Sequence, residues 1–177
     1  MTLHMIHYSF IFVFCFYHEN QTQDIYMEHN EIKLMNVSFG GISIEVPQIW
    51  NVETEMYTEP DGRECAMIDI EAGGSDPRSI TISYGPMPEG SDALVEAAGT
   101  YEEYIGETSE DEDPIAEYDF LGTTAFGFEC PTEDEGIVCN FICADVNGRL
   151  VTVMTTAASY EDIDDLLDLI EENIRLA

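Results

Sequence analysis

Basic side chains are scarce in this sequence. Its 177 residues include 37 Asp and Glu but only 5 Lys and Arg, which gives a formal net charge of −32 at pH 7. A surface with this charge repels phosphate backbones and anionic lipid headgroups, so nucleic acid and the cytoplasmic membrane leaflet are poor partners. Two interpretations stay open: recognition of a basic protein, or acidic solvation of a protein in a salt-rich cytoplasm.

Histidine and lysine are absent after residue 33. The single lysine is Lys33, and the histidines precede it, at His4, His7, His18 and His29. The rest of the chain therefore cannot assemble a Ser-His-Asp or Cys-His arrangement. It also has no G-x-x-x-x-G-K loop, and its arginines are scattered. We predict a non-catalytic protein that uses no nucleotide and no cofactor.

Carboxylates leave one enzymatic alternative open. Paired acids can hydrolyse glycosidic bonds without histidine, so a carboxylate-based hydrolase is a second alternative. Acids are so numerous in this chain that the sequence singles out no pair, and we predict no catalytic residue.

Two acidic clusters lie between predicted elements, and neither follows the alternate-residue pattern of a calcium loop that ends in a bidentate Glu. We predict no metal site and interpret the clusters as solvated loops that face a protein partner. Their residues are Glu110, Asp111, Glu112 and Asp113 in the first cluster, and Glu133, Asp134 and Glu135 in the second.

The cysteines of the later chain do not match a metal site. Cys65, Cys130, Cys139 and Cys143 contain no C-x-x-C pair, and no histidine accompanies them. Cys130 and Cys139 can lie opposite each other across a turn, but Cys143 is four strand residues from Cys139, about 13 Å at the usual strand rise. We interpret Cys139 and Cys143 as small apolar core residues, with a Cys130 to Cys139 disulfide as the alternative.

The first 35 residues differ in composition from the rest. Their apolar run, residues 5–17, is too short to span a bilayer as a helix, and it lacks the basic start and the small-x-small cleavage site of a signal peptide. We predict a single domain over residues 36–177, located in the cytoplasm, with translation starting at Met27 or Met35. The alternative is an exported or membrane-anchored protein tethered by residues 5–17.

Sequence periodicity predicts an antiparallel α+β fold. Ile42, Ile44 and Val46 alternate with polar residues, as a half-buried strand requires, and Asn147-Gly148 is typical of a two-residue hairpin turn. Helical spacing after Ser91 and after Ser159 predicts two amphipathic helices, with these serines as N-caps. We expect a meander sheet of about seven or eight strands with the two helices packed on it.

One segment carries a resemblance to a known family. Residues 41–50 read GISIEVPQIW, which resembles the opening of PsbP-like domains, where a strand enters a Val-Pro-x-x-Trp turn. Residues 122–128, the strand pair within 137–156 and the helix from Ser159 are similar, in order, to that family's closing meander and helix. The resemblance covers roughly residues 37–176 and implies α/β/α layers.

The PsbP-like fold is shared by an extrinsic photosystem II subunit, a Ran-binding nuclear protein, bacterial envelope lipoproteins and effector chaperones. The resemblance therefore implies a docking platform. We predict a protein-binding or adaptor domain whose partner is basic, with a membrane-tethered or exported envelope protein of the PsbP-like type as the alternative.

Trp50 is interpreted as a core anchor, and a ligand pocket formed with Phe120, Phe126 and Phe128 is the alternative.

Overall fold

Alternating sequence patterns produce ten strands and two helices in the computed structural model, which describes residues 33–105, 114–130 and 136–177. In chain order they are β1 (Leu34–Phe39), β2 (Ile42–Pro47), β3 (Asn51–Thr58), β4 (Glu64–Glu71), β5 (Ser79–Pro86), α1 (Ala93–Tyr104), β6 (Ala116–Phe120), β7 (Thr123–Cys130), β8 (Val138–Val146), β9 (Arg149–Ala157), α2 (Tyr160–Asn173) and β10 (Arg175–Leu176).

The strands form two antiparallel sheets. The larger has seven strands in the order β3-β4-β5-β9-β8-β7-β6, and the smaller has three in the order β1-β2-β10. The predicted α+β fold, with its helices packed on an antiparallel sheet, is confirmed. A single meander sheet was predicted, whereas Ile42, Ile44 and Val46 lie on β2 of a separate small sheet, between β1 and β10. The chain is extended from Ile174 onward, which lets Arg175 pair with Ser43 of β2.

The turn before β9 and the N-cap of α2 were predicted correctly. Asn147 and Gly148 both have positive φ, 58° and 78°, as a type I′ turn requires, so the predicted two-residue hairpin turn is confirmed. Ile142 pairs with Val153 across it. Ser159 caps α2 by accepting a hydrogen bond from the Asp162 backbone N–H at 3.2 Å, also as predicted.

The N-cap predicted for α1 was wrong by one residue. Asp92 caps the helix and accepts a hydrogen bond from the backbone N–H of Val95 at 2.9 Å. Ser91 instead donates its hydroxyl hydrogen bond to the Glu96 carboxylate. Asp and Ser are comparable caps, so sequence preference alone does not separate two adjacent candidates.

The two helices lie on opposite faces of the large sheet. Successive residues of a strand point to opposite faces, and on β8 Ile142 joins one hydrophobic cluster with Leu166 of α2, whereas Phe141 joins another with Ala97 of α1. The small sheet adds Ile44 to the α2 side. The described domain is therefore layered, with the large sheet between α1 and α2. No helix within the described residues is long and apolar enough to cross a membrane.

Candidate interaction surface

One face of the large sheet is polar over β3, β4, β5 and β9, and the residues that the structure describes cover it only partly. On β5, Ile80 and Ile82 are fully buried under the α2 side, whereas Ser79, Thr81 and Ser83 point to the other face and are half-buried. Helix α1 lies on that other face, but over β7 and β8. The strand order therefore leaves a polar surface beside α1.

The residues of this surface follow from the strand register, because directly paired residues point to the same face. We call the surface the open sheet face. Its three rows, each read from β3 to β9, are Asn51, Glu71, Ser79 and Thr156; then Glu53, Asp69, Thr81 and Met154; then Glu55, Met67, Ser83 and Thr152.

Hydrogen bonds fix the hydroxyl groups at the centre of the open sheet face. The Thr81 hydroxyl donates to Asp69 Oδ1 at 2.7 Å. The Thr156 hydroxyl donates to the Pro77 carbonyl at 2.9 Å, which leaves Ser79 to donate to Thr156 across 2.7 Å. Side chains held in this way lose little further conformational freedom when a partner binds.

Carboxylates lie on the side of the open sheet face that is furthest from β9. Glu53 and Glu55 are exposed on β3, the edge strand of the sheet, and Asp69 and Glu71 lie beside them on β4. The surface as defined contains no basic residue. Its negative potential therefore favours an approaching basic group.

Tyr57 lies at one end of this surface. It is paired with Cys65, and its hydroxyl reaches across β4 to the hydroxyl of Ser83 on β5. Burial raises the pKa of Tyr57 to about 12, against the opposing effect of the Ser83 hydrogen bond. Burial likewise raises the pKa of the Cys65 thiol. Gly85 leaves space for this thiol, since a Cβ at residue 85 would lie 2.3 Å from Cys65 Sγ.

Tyr57 is expected to ionise later than an ordinary tyrosine. Its folded pKa is raised, so its contribution to stability is complete below about pH 10 and is lost as the pH rises towards 12. Subtracting the alkaline absorbance titration of Tyr57→Phe from that of the wild type should leave one titration near pH 12. Ser83→Ala should move it higher, because the hydrogen bond that lowers the pKa is lost. A difference titration centred near pH 10 would contradict burial of this hydroxyl.

Two acidic clusters were predicted to face a partner. Glu110, Asp111, Glu112, Asp113, Glu133, Asp134 and Glu135 all lie outside the described residues. The sequence did carry a signal for the open sheet face, namely the polar positions that alternate with Ile80 and Ile82 on β5.

Cys139 and Cys143 are core residues, as predicted. Cys65, Cys139 and Cys143 are buried, Cys130 is half-buried, and all four are free thiols. Cys130 and Cys139 are direct partners in the β7–β8 register, as predicted. Burial raises the pKa of Cys143 to about 12. No cluster of three or more potential metal ligands occurs in the part of the chain that the structure describes.

Trp50 is a core residue, as predicted. It is only 8% exposed, and the Arg78 guanidinium carbon lies 5.5 Å from the centroid of its ring. The alternative of a shared aromatic ligand pocket was wrong. Phe120 belongs to the hydrophobic cluster under α2, whereas Phe128 belongs to the cluster under α1, so the sheet separates the two rings.

The arginines contact separate partners. Arg63 pairs with Asp61 at 2.5 Å and donates to the Pro86 carbonyl at 2.8 Å, and Arg78 pairs with Asp76 at 2.5 Å. Each pair lowers the pKa of its aspartate, chiefly through the side-chain hydrogen bond from the arginine. The guanidinium groups of Arg63 and Arg78 are thus each already paired with a carboxylate of the same chain.

A shallow groove between β6 and α2 has a volume of about 190 Å³, below the range of about 300 Å³ upwards that is usual for small-molecule sites. Tyr118 and Leu167 line it together with the carboxylates of Asp119, Asp164 and Asp168. Its small volume makes it a weaker candidate for a functional site than the open sheet face.

Comparison with known structures identifies the fold. The sequence matches no family model and no curated protein. The structure is similar to the solution structure of cyanobacterial PsbP (CyanoP) from Synechocystis sp. PCC 6803, with a TM-score of 0.54 and 11% sequence identity. The match covers 84% of this chain and 95% of the cyanobacterial chain. The resemblance seen in the sequence is therefore confirmed at the level of structure, and the chain has the PsbP-like fold.

Proposed function

We propose that this protein is a non-catalytic adaptor domain that binds a basic protein partner through the open sheet face. The observation that supports this most is the arrangement of Glu53, Glu55 and Glu71. These exposed carboxylates lie beside hydrogen-bonded hydroxyls on a sheet face next to α1. Carboxylates steer a basic surface towards this face, and the fixed hydroxyls then contact it at low entropic cost.

The edge strand β3 gives the partner a second kind of contact. It is the first strand of the large sheet, so one side of its backbone is not paired with any described strand. Glu53 and Glu55 on this strand repel a second copy of the same acidic chain, which protects the edge from self-association. A basic segment removes that repulsion and can add to the sheet through main-chain hydrogen bonds.

The proposed location is the cytoplasm. The alternative, an exported or membrane-tethered protein, depends on residues 5–17, which lie outside the described residues. Fractionation of the native cell separates the two: recovery of the full-length chain with the membrane pellet after a high-salt wash would favour the tethered form.

Reversing two charges on the open sheet face should abolish partner binding. We expect the full-length protein, tagged and crosslinked in its native cell, to recover one stoichiometric basic protein. The Glu53→Lys/Glu55→Lys variant should recover it at least about tenfold less, because attraction at the docking surface becomes repulsion.

The matched control for this experiment is Asp165→Lys/Glu172→Lys. Both of its residues are exposed on α2, on the opposite face of the sheet, and the change in net charge is the same. This variant should retain binding. Equal loss in both variants would show a general charge effect. If the wild type recovers no protein, or if every complex dissociates at moderate salt, the acidity would serve solubility instead.

A further inference from the structure

We propose that Cys130 and Cys139 are an oxidation site at which a peroxide converts two free thiols into a reversible cross-strand disulfide. This inference concerns the β7–β8 hairpin and goes beyond partner binding by the open sheet face. A disulfide here would join β7 to β8 covalently. In the sequence, Glu133, Asp134 and Glu135 lie between the two cysteines.

The strand register brings the two sulfurs together. Cys130 is the last residue of β7, and it pairs directly with Cys139, the second residue of β8. Directly opposite residues of an antiparallel pair point to the same face with Cβ atoms about 4.5–5.5 Å apart. A disulfide requires about 3.5–4.5 Å between these atoms, so a small adjustment of the hairpin is sufficient.

The other described cysteines are not placed to form a disulfide with Cys130 or Cys139. Cys143 shares the face but pairs with Phe126 of β7, and Cys65 lies on β4, which is separated from β8 by β5 and β9. Cys130 and Cys139 therefore form a pair that excludes the remaining described thiols.

The two thiols also differ in their readiness to react. A hydrogen bond donated by the Cys130 S–H holds the pKa of Cys139 below its usual value, against the effect of burial. The same hydrogen bond, together with burial, raises the pKa of Cys130. A Cys139 thiolate is stabilised by its neighbour, so we assign Cys139 as the attacking thiol and Cys130, the more exposed of the two, as the resolving thiol.

The reaction balances with hydrogen peroxide as the oxidant. The Cys139 thiolate attacks one peroxide oxygen and breaks the O–O bond, which gives a sulfenic acid and a hydroxide that takes up the proton lost by Cys139. The Cys130 thiol then attacks the sulfenic sulfur, the S–O bond breaks, and a second water leaves with the Cys130 proton. Two thiols and one peroxide thus give one disulfide and two waters, and a dithiol reductant reverses the result.

Peptide mapping of the full-length protein tests the site. After brief treatment with hydrogen peroxide, the remaining thiols are blocked with N-ethylmaleimide under acid conditions and the protein is digested. We expect a peptide that links Cys130 to Cys139, lighter than its two thiol components by two hydrogen atoms and cleaved by dithiothreitol. The Cys143→Ala variant should give the same link, and Cys130→Ser should give none.

The Cys15→Ser variant removes the fifth cysteine of the chain and should leave the link unchanged. Linkage of Cys139 to any other cysteine would overturn the proposal. So would independent oxidation of the two thiols to sulfinic acids without a crosslink. Mapping of the wild type decides between these results even if a serine variant fails to fold.

Discussion

Gly127→Ala is expected to destabilise the fold by about 3 kcal/mol. Gly127 is buried on β7 and pairs with Ala116 on one side and Ile142 on the other. A Cβ at this position would lie 2.1 Å from the backbone oxygen of Phe141 and 3.1 Å from Cα of Ile142. Because these are main-chain atoms of β8, whole strands would have to move to relieve the contact.

Urea denaturation followed by circular dichroism measures this effect, with Gly99→Ala as the control. Gly99 lies within α1, and a Cβ there would meet no atom within 4 Å. Alanine should therefore stabilise the helix by about 0.5–1 kcal/mol. If Gly127→Ala unfolded at the wild-type urea concentration, β7 and β8 would not be as close as described.

Ile82→Ala is expected to cost about 3–4 kcal/mol. Ile82 is fully buried in the middle of the large sheet, where it pairs with Ile68 on β4 and Val153 on β9. Truncation removes apolar contacts and leaves a cavity between strands that cannot collapse around it. Thermal or urea unfolding of the variant gives the free energy directly.

The control is the next residue of the same strand. Ser83 points to the open sheet face, so Ser83→Ala loses the hydrogen bond with Tyr57 but opens no core cavity. Its expected cost is about 1 kcal/mol. Equal costs at residues 82 and 83 would contradict the assignment of one buried and one open face to β5.

Features that depend on a few neighbouring residues could be predicted from the sequence. The Asn147-Gly148 turn requires two positive φ angles, which asparagine and glycine tolerate, and it fixes the β8–β9 register by itself. The Cys130 to Cys139 pairing followed from the short separation across a single turn. The small sheet could not be predicted, because β10 is only two residues long and pairs with a distant strand.

The open sheet face could be predicted only in part. Alternation on β5 shows that one side of this strand is polar, but it does not show which strands lie beside it. That information comes from the pairing of β5 with β9, which depends on side-chain fit across the whole sheet and not on a local turn. The residues predicted to face a partner are therefore acidic residues that are consecutive in the sequence, whereas the open sheet face is formed by residues from four separate strands.

The β5–β9 pairing also has a consequence for how the chain folds. β3, β4 and β5 are consecutive neighbours, and so are β6, β7, β8 and β9, but Ser79 and Thr156, which meet where β5 joins β9, are 77 residues apart. Each group can form through short loops, whereas joining them closes a long one at a greater entropic cost. We therefore expect two local meanders to form early and the central pairing to complete the native sheet late, so that the open sheet face exists only in the fully folded protein.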